Sequence, residues 1–402
     1  MSAPFDVIIV GAGPAGSSAA TMLAQDGHRV LVLEKEEFPR FHIGESLLPA
    51  CVPILERMGV DTPEHIYIRK DGAHFACEAS GRYQKFSFAE ALPGCPKSAW
   101  HVERAAFDMQ LRDRARELGA EVRHGEAVTK VGIETDGVWV ETAAGRETGR
   151  FLLDASGQNR LLARRMDAAE HITDFGNSAV FTHFDGIGQE AYDSLAPGFE
   201  IKIIIRPEGW GWVIPLPGRR LSVGIAGPGK LTQKMLDEGL LADPIMTRLA
   251  AGATRGETQI TGNYSYRNTA ARGARYSSLG DASSFLDPVF SSGVTLALRD
   301  AAGISDALSP ALKAGTEAAP DLLDEHQVGM KRALKTFHAL IFRFYHTNFA
   351  DSFFLQEVPA YDMRAGIMTV LAGHVWREDN PFQELLLNSK LQKRRRTQQA
   401  EN

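Results

Sequence analysis

Residues 5–34 constrain this chain more than any other stretch. FDVIIV, residues 5–10, is a short apolar run rich in β-branched residues, the pattern of a parallel strand buried on both faces. It runs straight into Gly11, Gly13 and Gly16, which fit G-x-G-x-x-G. A helix-like stretch follows and stops at Gly27, and a second apolar strand from Val30 to Leu33 ends on Glu34. In such a unit the first glycine permits the tight turn, the second lets the backbone approach a pyrophosphate, and the third lets helix and strand pack closely. The helix start offers unpaired N–H groups to the phosphates, and the acid, about 20 residues on, sits where a ribose hydroxyl needs an acceptor. Strand, glycine turn, helix, strand and acid in this order predict a dinucleotide-binding α/β unit rather than a chance glycine-rich turn.

Composition narrows what surrounds that unit. The 402 residues hold 44 Lys plus Arg and 50 Asp plus Glu, a net charge of −6, which argues against a nucleic-acid binder working through a basic surface. Apolar residues at 44% and charged ones at 23% suit a globular enzyme of two or three domains. Cys51, Cys77 and Cys95 are too few and too irregular for a disulfide framework or a structural zinc site, so three free thiols in the cytosol are expected. No run long enough to span a membrane and no export signal is visible. HExxH, paired cysteine ligands and GxSxG are absent, so neither metal nor hydrolase chemistry is expected.

Three later loops separate FAD from NAD. FPRFHIGESLLP, residues 38–49, stands where a classical dehydrogenase would continue with βα units. FLLDASGQNR, residues 151–160, reads as a buried strand ending on Asp154 in a small-residue turn. SSLGDASSFLDPVFSSGV, residues 277–294, brings Gly280 and Asp281 after a short strand, then Ser291, Ser292 and Gly293 at a helix start, which favours anions. With the glycine fingerprint, these motifs resemble the FAD-dependent monooxygenase superfamily of the para-hydroxybenzoate hydroxylase type over about residues 1–300. The mid-chain turn departs from it, reading Asp154-Ala155-Ser156-Gly157 rather than Asp-Gly. The resemblance implies FAD contacts from Gly11, Gly13, Ala15, Gly16, Glu34, Lys35, Arg40, Ile43, Gly44, Glu45, Ser46, Arg104, Asp281, Gly293 and Val294.

Within that superfamily the chain resembles the flavin-dependent halogenases. Residues 209–216, GWGWVIPL, satisfy W-x-W-x-I-P with Trp210, Trp212, Ile214 and Pro215. Strand period two puts both indoles on one face, where they would wall a reduced flavin from an organic substrate; otherwise they are ordinary core. Lys70, five residues before Phe75, matches the region of the family's catalytic lysine, although a lone lysine before a glycine is usually a surface residue. DPVFSSGV resembles the halide-holding segment, with Ser292 and Gly293 N–H groups as donors, and FHIGES resembles the strap between flavin and substrate sites. Tryptophan halogenases read Glu-Ser-Thr-Gly where this chain reads Phe290-Ser291-Ser292-Gly293. That change removes an acid credited with assisting the lysine and points to phenol or pyrrole substrates, which need less help losing a ring proton.

The resemblance implies FADH2 and O2 giving a flavin hydroperoxide, from which chloride or bromide forms a hypohalous acid that travels to Lys70. There it is either hydrogen-bonded or held as a chloramine before reaching an electron-rich aromatic, free or on a carrier protein. No second glycine fingerprint occurs, so a separate flavin reductase is the expected source of FADH2. A hydroxylase or an isoprenoid-type reductase of the same superfamily is the competing reading.

The expected fold is α/β: a discontinuous Rossmann-like FAD-binding domain (1–75, 100–175, 270–315), an inserted antiparallel-sheet substrate domain (76–99, 176–269), and a C-terminal helical region (316–402). Strands from Ala179 to Arg267 form that sheet, with TQITGNYSYR, residues 258–267, read as one of them. Phe337, Phe342, Phe344, Tyr345, Phe349, Phe353 and Phe354 crowd one stretch and either line a pocket or pack on the sheet. The basic run Lys390 to Arg396 reads as a solvated tail.

Overall fold

The computed structural model describes residues 3–175, 178–196, 198–347 and 361–388; Phe349, Phe353, Phe354 and the basic run lie outside them. The apolar run folds as the strand Phe5–Val10, central in a parallel arrangement with Val30–Leu33 on one side and Gly145–Asp154 on the other. Tyr276–Ser278 and Glu121–Arg123 extend the parallel run on its two sides, and Arg272–Gly273 pairs antiparallel beyond the first of them. The register aligns Val10 with both Leu33 and Asp154, and Asp154 with Ser278. Four strands thus end together on one edge, the edge at which open α/β sheets bind ligands. The crossover helix Pro14–Gln25 lies against the helices Arg104–Glu117 and Ser292–Ala314.

A second large sheet runs in the order Thr254–Arg255, Ser178–Asp185, Arg220–Gly227, Gly209–Leu216, Ile201–Arg206, Gly72–Cys77, Tyr83–Ser87. It is antiparallel except where Gly72–Cys77 joins Ile201–Arg206 in parallel, so the expected division at residue 75 falls inside one of its strands. The stretch 258–267 is not one strand. Gln259–Gly262 pairs in the large sheet, and Tyr266–Asn268 crosses to a separate three-stranded sheet, because Asn263 takes a left-handed turn at φ 54° that breaks the extended run.

The helices Asp324–His346, Tyr361–Leu371 and Pro381–Asn388 cover one face of that sheet. Phe337 and Phe344 are buried there in one cluster with Phe75, Phe86, Phe88, Trp210, Trp212 and Phe290, each worth roughly 2–3 kcal/mol of burial. These two phenylalanines are therefore packing residues. Phe342 instead sits against the His346 ring. Among the described residues no helix is long and apolar enough to cross a membrane, and the three cysteines are free.

Candidate active site

Three turns separated in sequence meet at the strand ends. Gly11, at φ 103°, lies so close to the mid-chain turn that a Cβ would stand 2.4 Å from the Ala155 carbonyl oxygen; at Gly16 a Cβ would stand 1.9 Å from the Gly11 carbonyl oxygen. Ala15 in turn fills the space beside Gly280. Only glycine fits either position. Gly13 caps the helix Pro14–Gln25, whose first N–H groups have no intrahelical acceptor, and the buried Glu34 carboxylate accepts from the Ala12 N–H at 2.9 Å. This donor set, flanked by an acid and shaped by glycines, fits the pyrophosphate and ribose of FAD. Arg40 reaches back over Gly13 and toward Asp108, whereas Lys35 is exposed and pairs with Glu36. Asp154 is fully buried and accepts from Ser156 and Leu162 N–H groups, so it fixes the turn rather than facing a ligand.

The strap comes next. The buried Arg104 guanidinium chelates Asp108 at 2.9 and 3.0 Å and donates to the carbonyls of Ile43 at 2.7 Å and Gly44 at 3.2 Å. A positive φ of 111° lets Gly44 turn past it, with a Cβ there standing 2.9 Å from the guanidinium. Arg104 is a buried clamp on the strap and not a solvated helix charge. Beyond Gly44 the chain pairs with the strand Ala99–Val102 through Glu45, Ser46 and Leu47. Glu45 is buried and accepts from His183 Nε2 at 2.6 Å. Burial alone pushes His183 down, but its bond to Glu45 outweighs that and leaves it above the ordinary histidine value.

Lys70 ends the strand Tyr67–Lys70, which pairs antiparallel with Ala99–Val102. Only 1% of it is exposed. Its Nζ donates to Ser46 Oγ at 2.8 Å and to the Leu47 carbonyl at 3.1 Å, and stands 5.3 Å from the Phe88 ring centre. Among the described residues it forms no salt bridge. An unpaired ammonium in such a place is costly, so burial pushes Lys70 down to about 7, and His101, buried alongside, well below its ordinary value. The two indoles share a face, centroids 5.4 Å apart, on a strand that lies against both strands of the lysine pair. Trp212 donates to Ser222 Oγ at 3.2 Å, and Gly224 makes room for it, since a Cβ there would stand 2.4 Å from the indole. Gly224 is thus a packing glycine.

Ser291, in a left-handed turn at φ 54°, starts the helix Ser292–Ala314, leaving the N–H groups of Ser292 and Gly293 without intrahelical acceptors. A Cβ on Gly293 would meet nothing closer than the Phe285 ring at 3.6 Å, so an anion can approach. Ser292 and Gly293 line a cleft with Asp281, Phe285, Asp287 and Leu296; Val294 follows, half-buried. Burial raises Asp281 to about 6 against the pull of Arg104. Sequence reasoning missed Asp287, Tyr345 as its partner, the Glu45–His183 pair, and the contact of Cys51 Sγ with Thr295 Oγ1 at 3.1 Å. Asp before Pro at a turn start was the one available signal for Asp287. Among the described residues no cluster of His, Cys, Asp and Glu could hold a metal ion.

The family model described as tryptophan halogenase matches residues 6–95 and 89–373. The chain is 32% identical over 330 residues to flavin-dependent halogenase armH3 of Armillaria mellea, covering 73% of this chain and 65% of that protein's length. It is 30% identical over 411 residues to the 1H-pyrrole-2-carbonyl-[peptidyl-carrier protein] chlorinase of Pseudomonas fluorescens, covering 92% and 90%. In structure it resembles the flavin-dependent brominase Bmp2 (TM-score 0.81, 26% identity, 98% and 100% covered). It also resembles a flavoprotein/dehydrogenase from Cytophaga hutchinsonii (TM-score 0.84, 26% identity, 100% of both chains).

Proposed function

The chain belongs to the tryptophan halogenase family, and from that premise we propose that it is an FADH2-dependent halogenase of phenol- or pyrrole-type aromatics that delivers halogen through Lys70. The observation that carries the reading is a fully buried amine without a counter-ion, hydrogen-bonded to the strap that leads from the cofactor loop. Bound FADH2 would supply two of the four electrons that reduce O2, and chloride or bromide the other two, so that the halide leaves as hypohalous acid. The chain's own residues then do five things. Gly11, Gly13, Ala15, Gly16 and Glu34 hold the dinucleotide, and Arg104 fixes the strap beside it. Ser292 and Gly293 N–H groups hold the halide, where a helix start and low dielectric strengthen anion binding. Trp210 and Trp212 keep the organic substrate away from the flavin, so that halide rather than substrate meets the oxidant. Lys70 receives the hypohalous acid: its ammonium form donates a hydrogen bond, and its neutral form gives N–X and water. Near neutral pH both forms are populated.

The Phe290-Ser291-Ser292-Gly293 segment supports an activated ring over free tryptophan, and the pyrrole chlorinase relative supports trying carrier-bound acceptors. FADH2 is supplied by a separate flavin reductase. The test is mass spectrometry of a phenol and pyrrole panel, free and carrier-bound, incubated with protein, flavin reductase and bromide; brominated product is expected. The likeness to the Cytophaga flavoprotein/dehydrogenase keeps a second reading, reduction or hydroxylation. Rapid NADPH oxidation by the protein alone, indifferent to halide, would favour that reading over halogenation.

A further inference from the structure

The segment that carries Ser292 and Gly293 also carries an acid for which the reading above has no use. Asp287 is fully buried. Its Oδ1 accepts from the Val289 N–H at 3.0 Å, and its Oδ2 from the Tyr345 hydroxyl at 2.9 Å. The Tyr345 oxygen in turn accepts from Trp210 Nε1 at 3.0 Å. Every one of these donors is neutral, and among the described residues no Lys, Arg or His forms an ion pair with Asp287. The titratable groups facing it are Tyr345, from the helix Asp324–His346, and Tyr264, from the loop before Tyr266–Asn268; burial raises both phenols well above their ordinary value. Asp281 shares the cleft and has Arg104 as its charged neighbour.

Asp287 lines the same cleft as Ser292 and Gly293. A halide on those N–H groups and an ionised Asp287 would be two anions side by side in a poorly solvated space, with no counter-ion for the carboxylate. We infer that halide enters this site together with one proton carried by Asp287, so that the acid is neutral whenever halide is bound. The inference rests on the reading of Ser292 and Gly293 as the halide donors. Oδ1 is already committed to the Val289 N–H, so the proton goes to Oδ2, beside a Tyr345 hydroxyl that can turn to accept from it. Burial holds the acid at about 7 before halide arrives, so the proton is available near neutral pH. The balance is also right: X⁻ + FADH2 + O2 + H⁺ gives HOX + FAD + H2O, one proton consumed for each halide oxidised.

The test is an equilibrium titration of FAD-loaded protein with bromide from pH 6.5 to 9, read by tryptophan fluorescence, together with calorimetry in buffers of different ionisation enthalpy to count protons. The expected result is uptake of about one proton per bromide at pH 8 to 9 and a Kd that rises about tenfold over that unit. Asp287→Asn should abolish the uptake and flatten the pH dependence. Tyr345→Phe, which removes a bond that favours the carboxylate, should move the onset of weakening to lower proton concentration. Bromide binding without proton uptake in the unaltered protein overturns the inference and leaves the halide site standing. Persistent pH dependence in Asp287→Asn assigns the proton elsewhere, to Lys70 or Asp281, and overturns it too. Failure to bind bromide at any pH removes the halide site and this inference with it.

Discussion

The glycine loop and the lysine compartment lie at opposite ends of the strap and are built by opposite means. At the loop, the groups that would meet a cofactor are main-chain N–H donors and one acid within 23 residues of the first glycine (34 − 11 = 23), shaped by turns that only glycine can make. Around Lys70 the surroundings come from residues 46–47, 88, 99–102 and 209–216, and the effect is produced by exclusion: water and counter-ions are kept out until the amine loses part of its hold on its proton. A backbone site tolerates change in side chains and fails when a Cβ is added. A sealed compartment tolerates conservative change in volume and fails when its charge is altered.

The largest expected break of this contrast is Gly16→Ala. Its Cβ would have to occupy the position of the Gly11 carbonyl, so the loop must open. FAD retention should fall by at least about a hundredfold, with flavin oxidation and halogenation lost together, as equilibrium dialysis and both activity assays would report. Unchanged FAD affinity would show that the loop does not hold the cofactor.

A smaller effect sharpens the other side. Because Lys70 is held at about 7 in the folded chain and is ordinary when unfolded, the unfolded state binds more protons between about 7 and about 10.4. Stability attributable to this residue is therefore fully present above the unfolded value and is lost progressively as pH falls from there to the folded value of about 7. Denaturant melts of the unaltered protein and of Lys70→Met, compared at pH 7 and pH 9, should show the difference shifting in favour of the unaltered protein at pH 9. Parallel pH profiles would mean that the amine is solvated.

The contrast also explains what could be read from the residues alone. Gly11, Gly13, Gly16 and Glu34 are legible because strand, turn, helix and acid follow one another within residues 5–34, although the distant Ala155 also packs against Gly11. Strand period two likewise puts both indoles on one face, where their centroids stand 5.4 Å apart. The burial of Lys70 was not legible locally; only its resemblance to a family pattern singled it out, since a lysine before a glycine carries no mark of what will fold over it. Asp287, Tyr345 and Trp210 are separated by 58 and 135 residues along their hydrogen-bonded chain, and no periodicity couples such positions. The break at Asn263 and the parallel pairing of Gly72–Cys77 were hidden for a related reason: extended residues read alike whichever sheet they join.

The central claim is that halogen passes through the buried amine after flavin chemistry is complete. The direct measurement follows FADH2 oxidation and brominated product side by side in Lys70→Ala. The account predicts oxidation at close to the unaltered rate with product reduced at least about a hundredfold, the scale on which loss of a single essential proton-bearing group is felt. Product formed at the unaltered rate and yield would contradict it.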